Sequence, residues 1–88
     1  KVEFEMKLSV EISKYPLHQD YIPFIKGFID RVNAYEELKV ITNTMSTQIF
    51  GDYDLVMQVI STEIKHSYEQ FGKAIFVCKF ISGDLSPE

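Results

Sequence analysis

This 88-residue chain has a single cysteine, few glycines and prolines, and no long apolar run. One cysteine cannot form an internal disulfide, which is typical of a reducing compartment. No apolar run approaches the roughly 20 residues of a membrane-spanning helix. Residues 1–5 lack the long apolar centre of a signal peptide. These absences predict a cytoplasmic protein with no membrane partner.

The chain also lacks a concentrated basic region. Its 9 Lys and Arg are scattered and are outnumbered by 13 Asp and Glu, which gives a net charge of -4. Phosphate binding requires a concentrated basic face, so nucleic acid is not a predicted partner. His18 and His66 lie in different predicted elements without a second ligand at metal spacing, and no metal or other cofactor is predicted. Cys78 alternates with Phe76 and Phe80, which indicates a buried, inert thiol.

What remains is the composition of a globular protein. Hydrophobic residues make up 45% of the chain, aromatic residues 14% and charged residues 25%. A chain of this length forms one domain, and we predict a core over about 6–82 followed by a polar tail at 83–88. So small a domain leaves much of its surface exposed and is marginally stable alone, and oligomerisation would bury part of that surface.

The first half of the chain predicts a strand and then a helix. Apolar and polar residues alternate from Val2 to about Ser13, most clearly from Met6, and Pro16 ends this strand. Asp20 is the expected helix N-cap. The buried stripe of the helix is predicted to consist of Ile22, Ile25, Phe28, Ile29 and Val32. Gly27 within it indicates a close approach to the sheet.

The second half predicts two strands, a helix and a last strand. Alternation over 38–43 and again over 45–50 favours a hairpin over one long bent strand, and Gly51 ends the third strand. Asp52 is the expected second N-cap and Gly72 the C-terminal cap. The apolar stripe of this helix is Leu55, Val56, Val59, Ile60, Ile64 and Phe71. Glu63, Lys65, His66 and Glu69 are assigned to its solvated face.

The last strand, predicted over 73–81, carries apolar residues on both sides. This pattern favours a central position in the sheet or a place at an interface. The complete order is strand, helix, strand, strand, helix, strand. Right-handed crossovers then give an α+β fold, the ferredoxin-like βαββαβ sandwich, with a four-stranded antiparallel sheet and two helices on one face.

The other face of this sheet is left open. We expect it to carry part of the last strand together with Ser9, Glu11, Ser13, Ile41, Asn43, Ser46, Gln48 and Phe50. An exposed phenylalanine and apolar neighbours in a small domain indicate a subunit interface.

Three stretches resemble one known family. Residues 8–17, LSVEISKYPL, resemble the opening strand of the YkoF-like thiamin/hydroxymethylpyrimidine-binding family. Residues 45–57, MSTQIFGDYDLVM, resemble its second signature, and residues 74–80, AIFVCKF, fit its last strand. The resemblance covers about 6–84. It implies a ferredoxin-like domain and a non-catalytic binder of thiamin or its pyrimidine moiety. Because this chain has one copy of the domain, the resemblance implies self-association to a dimer or a tetramer, with the tetramer favoured.

The run from Thr42 to Asp54 is rich in hydroxyl and amide groups and is the expected receptor surface. A thiamin-type ligand needs such groups, an apolar surface and a carboxylate for its cationic ring. The predicted ligand-binding residues are Glu11, Ser13, Tyr15, Asn43, Met45, Ser46, Thr47 and Gln48. Successive residues of a strand point to opposite faces, so Thr47 lies on one face and Ser46 and Gln48 on the other. Because both faces cannot line one simple pocket, we expect a site at the strand ends around Thr47 and Asn43, with Glu11 as charge partner. The simpler alternative is that these hydroxyls only bond neighbouring backbone.

No nucleophile–base pair, glycine-rich phosphate loop or paired-carboxylate site is evident in the sequence, which favours a binding protein over an enzyme. The leading hypothesis is therefore a small-molecule binding protein that works as a homo-oligomer. The alternative is a structural or regulatory oligomerisation domain with no thiamin-type ligand. An amino-acid sensor of the ACT type is a third hypothesis, supported by fold alone.

Overall fold

The computed structural model describes residues 6–43 and 45–87. The predicted strand residues before Met6, Thr44 of the hairpin and Glu88 of the tail lie outside the described residues. In order, the described elements are β1 (Lys7–Pro16), α1 (Tyr21–Asn33), β2 (Lys39–Thr42), β3 (Thr47–Asp52), α2 (Tyr53–Phe71) and β4 (Ala74–Ser82). This is the predicted βαββαβ order. Neither helix of the described chain is long and apolar enough to cross a bilayer.

Over the described residues, the sheet has four strands in the order β2-β3-β1-β4, and every neighbouring pair is antiparallel. The ferredoxin-like prediction is therefore confirmed. The central position predicted for β4 is wrong, because β4 is an edge strand paired with β1. Its outward-facing residues Ile75, Val77 and Ile81 are exposed. Apolar residues on both sides of a strand therefore did not indicate a central strand here.

The alternation of β1 sorts its residues between two environments. Leu8, Val10 and Ile12 are buried and belong to the core between the sheet and the helices. Glu11 lies on the other, open face, where it is directly opposite Gln48 of β3 and Lys79 of β4. Because directly paired residues share a face, this register fixes which side chains meet on the open face.

The helices bury faces that differ in detail from the predicted stripes. In α1 the buried residues are Phe24, Phe28 and Val32, while Ile22 is exposed. Asp20 and Asp52 do occupy the N-cap positions, but neither carboxylate makes a capping hydrogen bond to a described residue. The carboxylate of Asp52 instead accepts a hydrogen bond from Lys7 Nζ at 2.5 Å. At the end of α2, Gly72 has φ +87°, so the predicted need for glycine there is confirmed.

Polar residues join the helices to each other. Glu63 of α2 was predicted to be solvated but is buried, since Arg31 of α1 donates from Nε to its Oε1 at 2.6 Å. Tyr35 donates to Glu63 Oε2 at 2.7 Å, and Arg31 also donates to Ser67 Oγ at 2.8 Å. Gly27 makes room for this arginine and not for the sheet: a Cβ there would lie 3.2 Å from a terminal Arg31 nitrogen.

The predicted hairpin is confirmed by the pairing of β2 with β3. Its turn is held by Asn43, whose backbone N–H donates to the carbonyl oxygen of Ser46 at 3.0 Å. Gly51 does not end β3 but lies within it. A Cβ on Gly51 would come 2.5 Å from a methyl carbon of Leu38, so this glycine allows Leu38 to pack against the sheet.

The segment after β4 is ordered against the open face. Gly83 has φ +103°, a conformation that favours glycine, and the chain turns there. The Gly83 N–H donates to the Lys7 carbonyl oxygen at 2.8 Å, and the Leu85 N–H donates to Ser9 Oγ at 2.9 Å. Residues 83–87, predicted as a polar tail, thus pack across one end of the sheet. Phe50 of the open face is only 6% exposed, so the predicted exposure of Phe50 is wrong.

Candidate functional site

The open face is organised in rows that run across the strands. One row consists of Ile81, Ser9, Phe50 and Lys39. The next consists of Lys79, Glu11, Gln48 and Ile41. A cavity of about 290 Å³ lies over these rows and is bordered by Leu85. We call it the open-face cavity, and it is lined by Ser9, Val10, Glu11, Gln48, Phe50, Lys79, Phe80, Ile81 and Leu85.

Glu11 is the anionic group of the open-face cavity. Ser46 Oγ donates to its Oε2 at 2.9 Å, which orients the carboxylate from the β3 side. On the β4 side, Lys79 Nζ lies 3.7 Å from Oε1, at the long end of an ion pair. The Lys79 side chain is 80% exposed, so this pair is well solvated and weak. The carboxylate is thus held in place while its cationic partner is easily displaced.

Gln48 gives the cavity an amide next to this carboxylate. It is the β3 residue directly opposite Glu11, and its side chain is half-buried. A primary amide offers both donors and an acceptor. Phe50, Ile81 and Leu85 supply the apolar part of the lining. Apolar walls with a few convergent polar groups are typical of small-ligand sites.

Thr47 lies on the opposite side of the sheet from this cavity. It is fully buried between the sheet and the helices, and Lys14 Nζ donates to its Oγ1 at 2.8 Å. The β3 alternation that brings Ser46 and Gln48 to the open face therefore removes Thr47 from it. The structure does not bring Thr47 together with Glu11, as the predicted strand-end site requires.

Asn43 is engaged in the hairpin turn. Its Oδ1 accepts hydrogen bonds from the N–H groups of Met45 and Ser46, each at 2.9 Å. This is the local use of an amide that the simpler alternative predicts. Met45 projects from the turn and is 82% exposed. Neither residue lines the open-face cavity.

Ser13 and Tyr15 are on the open face but outside the open-face cavity. They lie opposite Val77 and Ile75 of β4, in the rows beyond Glu11. Of the predicted ligand-binding residues, Glu11 and Gln48 line the cavity and Ser46 supports Glu11. Any binding role of the others remains a prediction.

Sequence reasoning missed Lys79, Ile81 and Leu85 as parts of this site. The alternation of β4 assigns Lys79 and Ile81 to one face but cannot say which β1 residue each meets. Leu85 gave no periodic signal, because it follows the last strand. Its position depends on the turn at Gly83.

Lys14 is the notable cation on the helix side of the sheet. Its ammonium lies 5.3 Å from the centre of the Phe28 ring. Burial disfavours the charged form and lowers the pKa of the Lys14 amine. The described carboxylates make no ion pair with it within 4 Å, so Thr47 is its hydrogen-bonding partner.

His18 contacts aromatic rings, and Cys78 packs against the hydrophobic core. His18 stacks against Phe71 at 5.8 Å and meets Phe24 edge-on at 5.4 Å between ring centres. Both of its ring nitrogens are buried and have no hydrogen-bond partner in the described chain. Burial raises the pKa of the Cys78 thiol, which lowers its thiolate fraction. No group of three or more potential metal ligands occurs within 6–43 and 45–87.

The fold and the open-face cavity define the chain as a ferredoxin-like α+β domain with a partly apolar surface cavity. Several solved structures have a similar fold. A Streptococcus pneumoniae protein has a TM-score of 0.80 at 18% identity, with 90% of this chain and 89% of that chain covered. A candidate thiamine biosynthesis/salvage protein of Thermotoga maritima has a TM-score of 0.76 at 15% identity, covering 91% of this chain and 84% of that one.

A hypothetical protein of Methanocaldococcus jannascii is also similar, with a TM-score of 0.75 at 23% identity, and 92% of this chain and 84% of that chain are covered. At such identities the likeness shows the fold alone. No family model and no curated protein matches the chain.

Proposed function

We propose that this domain is a non-catalytic binding protein for thiamin or its hydroxymethylpyrimidine moiety, and that the open-face cavity is its site. The observation that carries the proposal is the Glu11 carboxylate, which Ser46 orients beside the Gln48 amide in a partly apolar cavity. The thiamine description of the Thermotoga maritima structure and the family resemblance of residues 8–17 and 45–57 agree with this ligand class.

Each part of thiamin has a matching group in this cavity. The Gln48 amide can both donate to and accept from the edge of an aminopyrimidine. Ile81 and Leu85 offer exposed apolar surface to a flat ring. Glu11 can pair with the cationic thiazolium, which then replaces the exposed Lys79 ammonium as its partner. A carboxylate, an amide and an ammonium provide binding without an activated nucleophile, which favours a binding role over catalysis.

The exchange of Lys79 for the ligand cation gives a sharp test. Lys79→Met removes the competing ammonium, so we expect thiamin to bind about threefold or more tightly to this variant. Glu11→Gln removes the carboxylate, and we expect thiamin affinity to fall about tenfold or more. The neutral hydroxymethylpyrimidine should respond much less to either change. Isothermal calorimetry with both compounds at fixed salt measures these differences.

The matched control is Glu36→Gln, which removes an exposed carboxylate in the connection between α1 and β2. It changes the net charge as Glu11→Gln does but should leave thiamin affinity unchanged. Equal losses in the two variants would mean that only net charge matters. No heat with either ligand at saturating concentration, and no shift in melting temperature, would reject the ligand class.

We also propose self-association to a dimer or tetramer, and one observation keeps the oligomerisation function as a second candidate. Beyond the open-face cavity, Tyr15, Ile75 and Val77 form an exposed, mainly apolar patch on the open face. Such a patch on a small domain favours contact with another copy of the chain. Under this second candidate, the domain assembles through the patch whether or not a thiamin-type ligand binds.

A further inference from the structure

Residues 83–87 form a short segment across the open face, which we call the C-terminal strap. It begins at Gly83, where the backbone turns away from β4. Its course is set by one buried hydroxyl: Ser9 Oγ donates to the Gly83 carbonyl oxygen at 2.7 Å and accepts from the Leu85 N–H at 2.9 Å. Ser9 is only 3% exposed. A single side chain therefore makes two of the strap's contacts with the sheet.

The strap follows one row of the sheet from edge to edge. The row starts at Ile81 on β4, passes Ser9 and Phe50, and ends at Lys39 on β2. Lys39 Nζ donates to the Pro87 carbonyl oxygen at the far end of the strap. Inside the strap, Asp84 Oδ1 accepts from the Ser86 N–H at 2.9 Å, which bends it locally. Phe50 lies in this row between Ser9 and Lys39, the two residues that hold the strap, and it is 6% exposed.

Two features distinguish the strap from the core. Leu85, Asp84 and Pro87 are exposed, so the strap buries little apolar surface of its own and is held mainly by hydrogen bonds. Segments with few buried apolar contacts open at a lower free energy than the strands beneath them. Leu85, in addition, is part of the lining of the open-face cavity, beside Glu11 and Gln48. Opening the strap would therefore remove one wall of the proposed site.

We propose that the C-terminal strap is a gate on the open-face cavity, latched by Ser9 and closed by the Leu85 side chain. When the strap opens, Phe50 and the floor of the cavity become accessible. When it closes, Leu85 covers a bound ligand and slows its release. This inference rests on the proposed function for the identity of the ligand, but the opening of the strap can be measured without any ligand.

The ligand-free test uses NMR on the full chain. In wild type we expect the Leu85 amide, which donates to the Ser9 latch, to exchange with solvent at least tenfold faster than the amides of Val10 and Ile49, which lie in β1 and β3. Ser9→Ala should leave those two strand amides unchanged. It should at least double the relaxation of the Phe50 ring protons by a soluble nitroxide, because the latch is lost. Ser61→Ala, an exposed serine on α2, is the matched control.

Either of two results would contradict the proposal that the strap is a gate. If the Leu85 amide exchanges as slowly as those of Val10 and Ile49, the strap is part of the cooperative core. If Ser9→Ala leaves the Phe50 ring as shielded as it is in wild type and in Ser61→Ala, Ser9 is not the latch.

The ligand-bound test measures the dissociation rate of thiamin by stopped-flow fluorescence or NMR line shape. We expect Ser9→Ala and Leu85→Ala to raise this rate about fivefold or more, and Ser61→Ala to leave it unchanged. An unchanged rate in both variants, with Phe50 exposed in Ser9→Ala, would refute gating while the binding function stands. If wild type binds no thiamin-type compound but the ligand-free results are as expected, the ligand assignment fails and the opening of the strap stands.

Discussion

Two glutamates show how position sets the role of a side chain in this domain. Glu63 has a side chain that is 8% exposed and is held by Arg31 and Tyr35, whereas the Glu11 side chain is 39% exposed and faces a weakly paired lysine. The first carboxylate is committed to joining the helices. The second carboxylate lines the open-face cavity, where its oxygen atoms can accept hydrogen bonds from a ligand.

Removing the Glu63 carboxylate should destabilise the fold. Glu63→Ala leaves the half-buried Arg31 guanidinium and the Tyr35 hydroxyl without their acceptor. Breaking a buried ion pair from one side costs about 3–5 kcal/mol, and we expect the lower part of that range because Arg31 retains some solvent contact. Urea denaturation measures the change. Glu69→Ala, on the exposed side of α2, is the control and should stay within about 0.5 kcal/mol of wild type. Equal losses of stability in Glu63→Ala and Glu69→Ala would show that the hydrogen bonds of Glu63 with Arg31 and Tyr35 do not stabilise the fold.

Because the Lys14 amine is partly buried, we expect the stability of the fold to depend on pH. Burial lowers the pKa of its amine, so over a window below pH 10.5 the folded protein binds fewer protons than the unfolded chain. Stability then rises with pH across this window. We expect the free energy of unfolding of wild type, minus that of Lys14→Met, to increase as the pH rises toward 10.5. Subtracting the variant cancels groups common to both proteins. A difference that stays constant or falls would show that the ammonium is solvated.

At the scale of elements, the β2–β3 hairpin depends on Asn43. Its Oδ1 accepts from two backbone amides of the turn, at Met45 and Ser46. Asn43→Ala should lower the free energy of unfolding by about 1–2 kcal/mol through loss of these bonds, measured by urea denaturation. It should leave thiamin affinity within about twofold, because the side chain does not line the open-face cavity.

Met45→Ala is the control for this turn, because the methionine is 82% exposed and projects into solvent. Its stability should match wild type within about 0.5 kcal/mol. A large loss of ligand affinity in Asn43→Ala without loss of stability would instead place the binding site at the strand ends.

The elements themselves were largely predictable because their signals are local. Alternation in β1 and in the hairpin, and the glycine after α2, depend on neighbours in sequence, and the structure bears them out. The errors concern partners distant in sequence. Nothing near Glu63 in the sequence reveals Arg31 across the helix seam, and the exposure of Ile22 depends on where α1 rests on the sheet.

The candidate site was predictable only in part for the same reason. Strand parity correctly separated Thr47 from Gln48. It could not bring Lys79 to Glu11, because the register between β1 and β4 joins residues from opposite ends of the chain. It also could not place Leu85, which depends on a turn made by one glycine and on two hydrogen bonds to Ser9.

At the scale of the whole molecule, the exposed patch of Tyr15, Ile75 and Val77 predicts association between copies of the chain. We expect wild type to sediment as a dimer or tetramer. Val77→Glu places a charge in the patch and should reduce the sedimenting mass at the same concentration. Met57→Glu, an exposed methionine on α2, is the control and should keep the wild-type mass. If Val77→Glu also keeps that mass, the patch is not the interface.

The most direct test of the proposed function is a titration of the isotope-labelled protein with thiamin, followed by amide NMR shifts. We expect saturable shifts at residues around Glu11, Gln48 and Lys79, including the Gln48 side-chain amide, and at Leu85 of the same cavity lining. Amides at the seam between α1 and α2 should not move. Saturable shifts confined to that seam or to the Asn43 turn, or no shifts at millimolar thiamin, would contradict the open-face site.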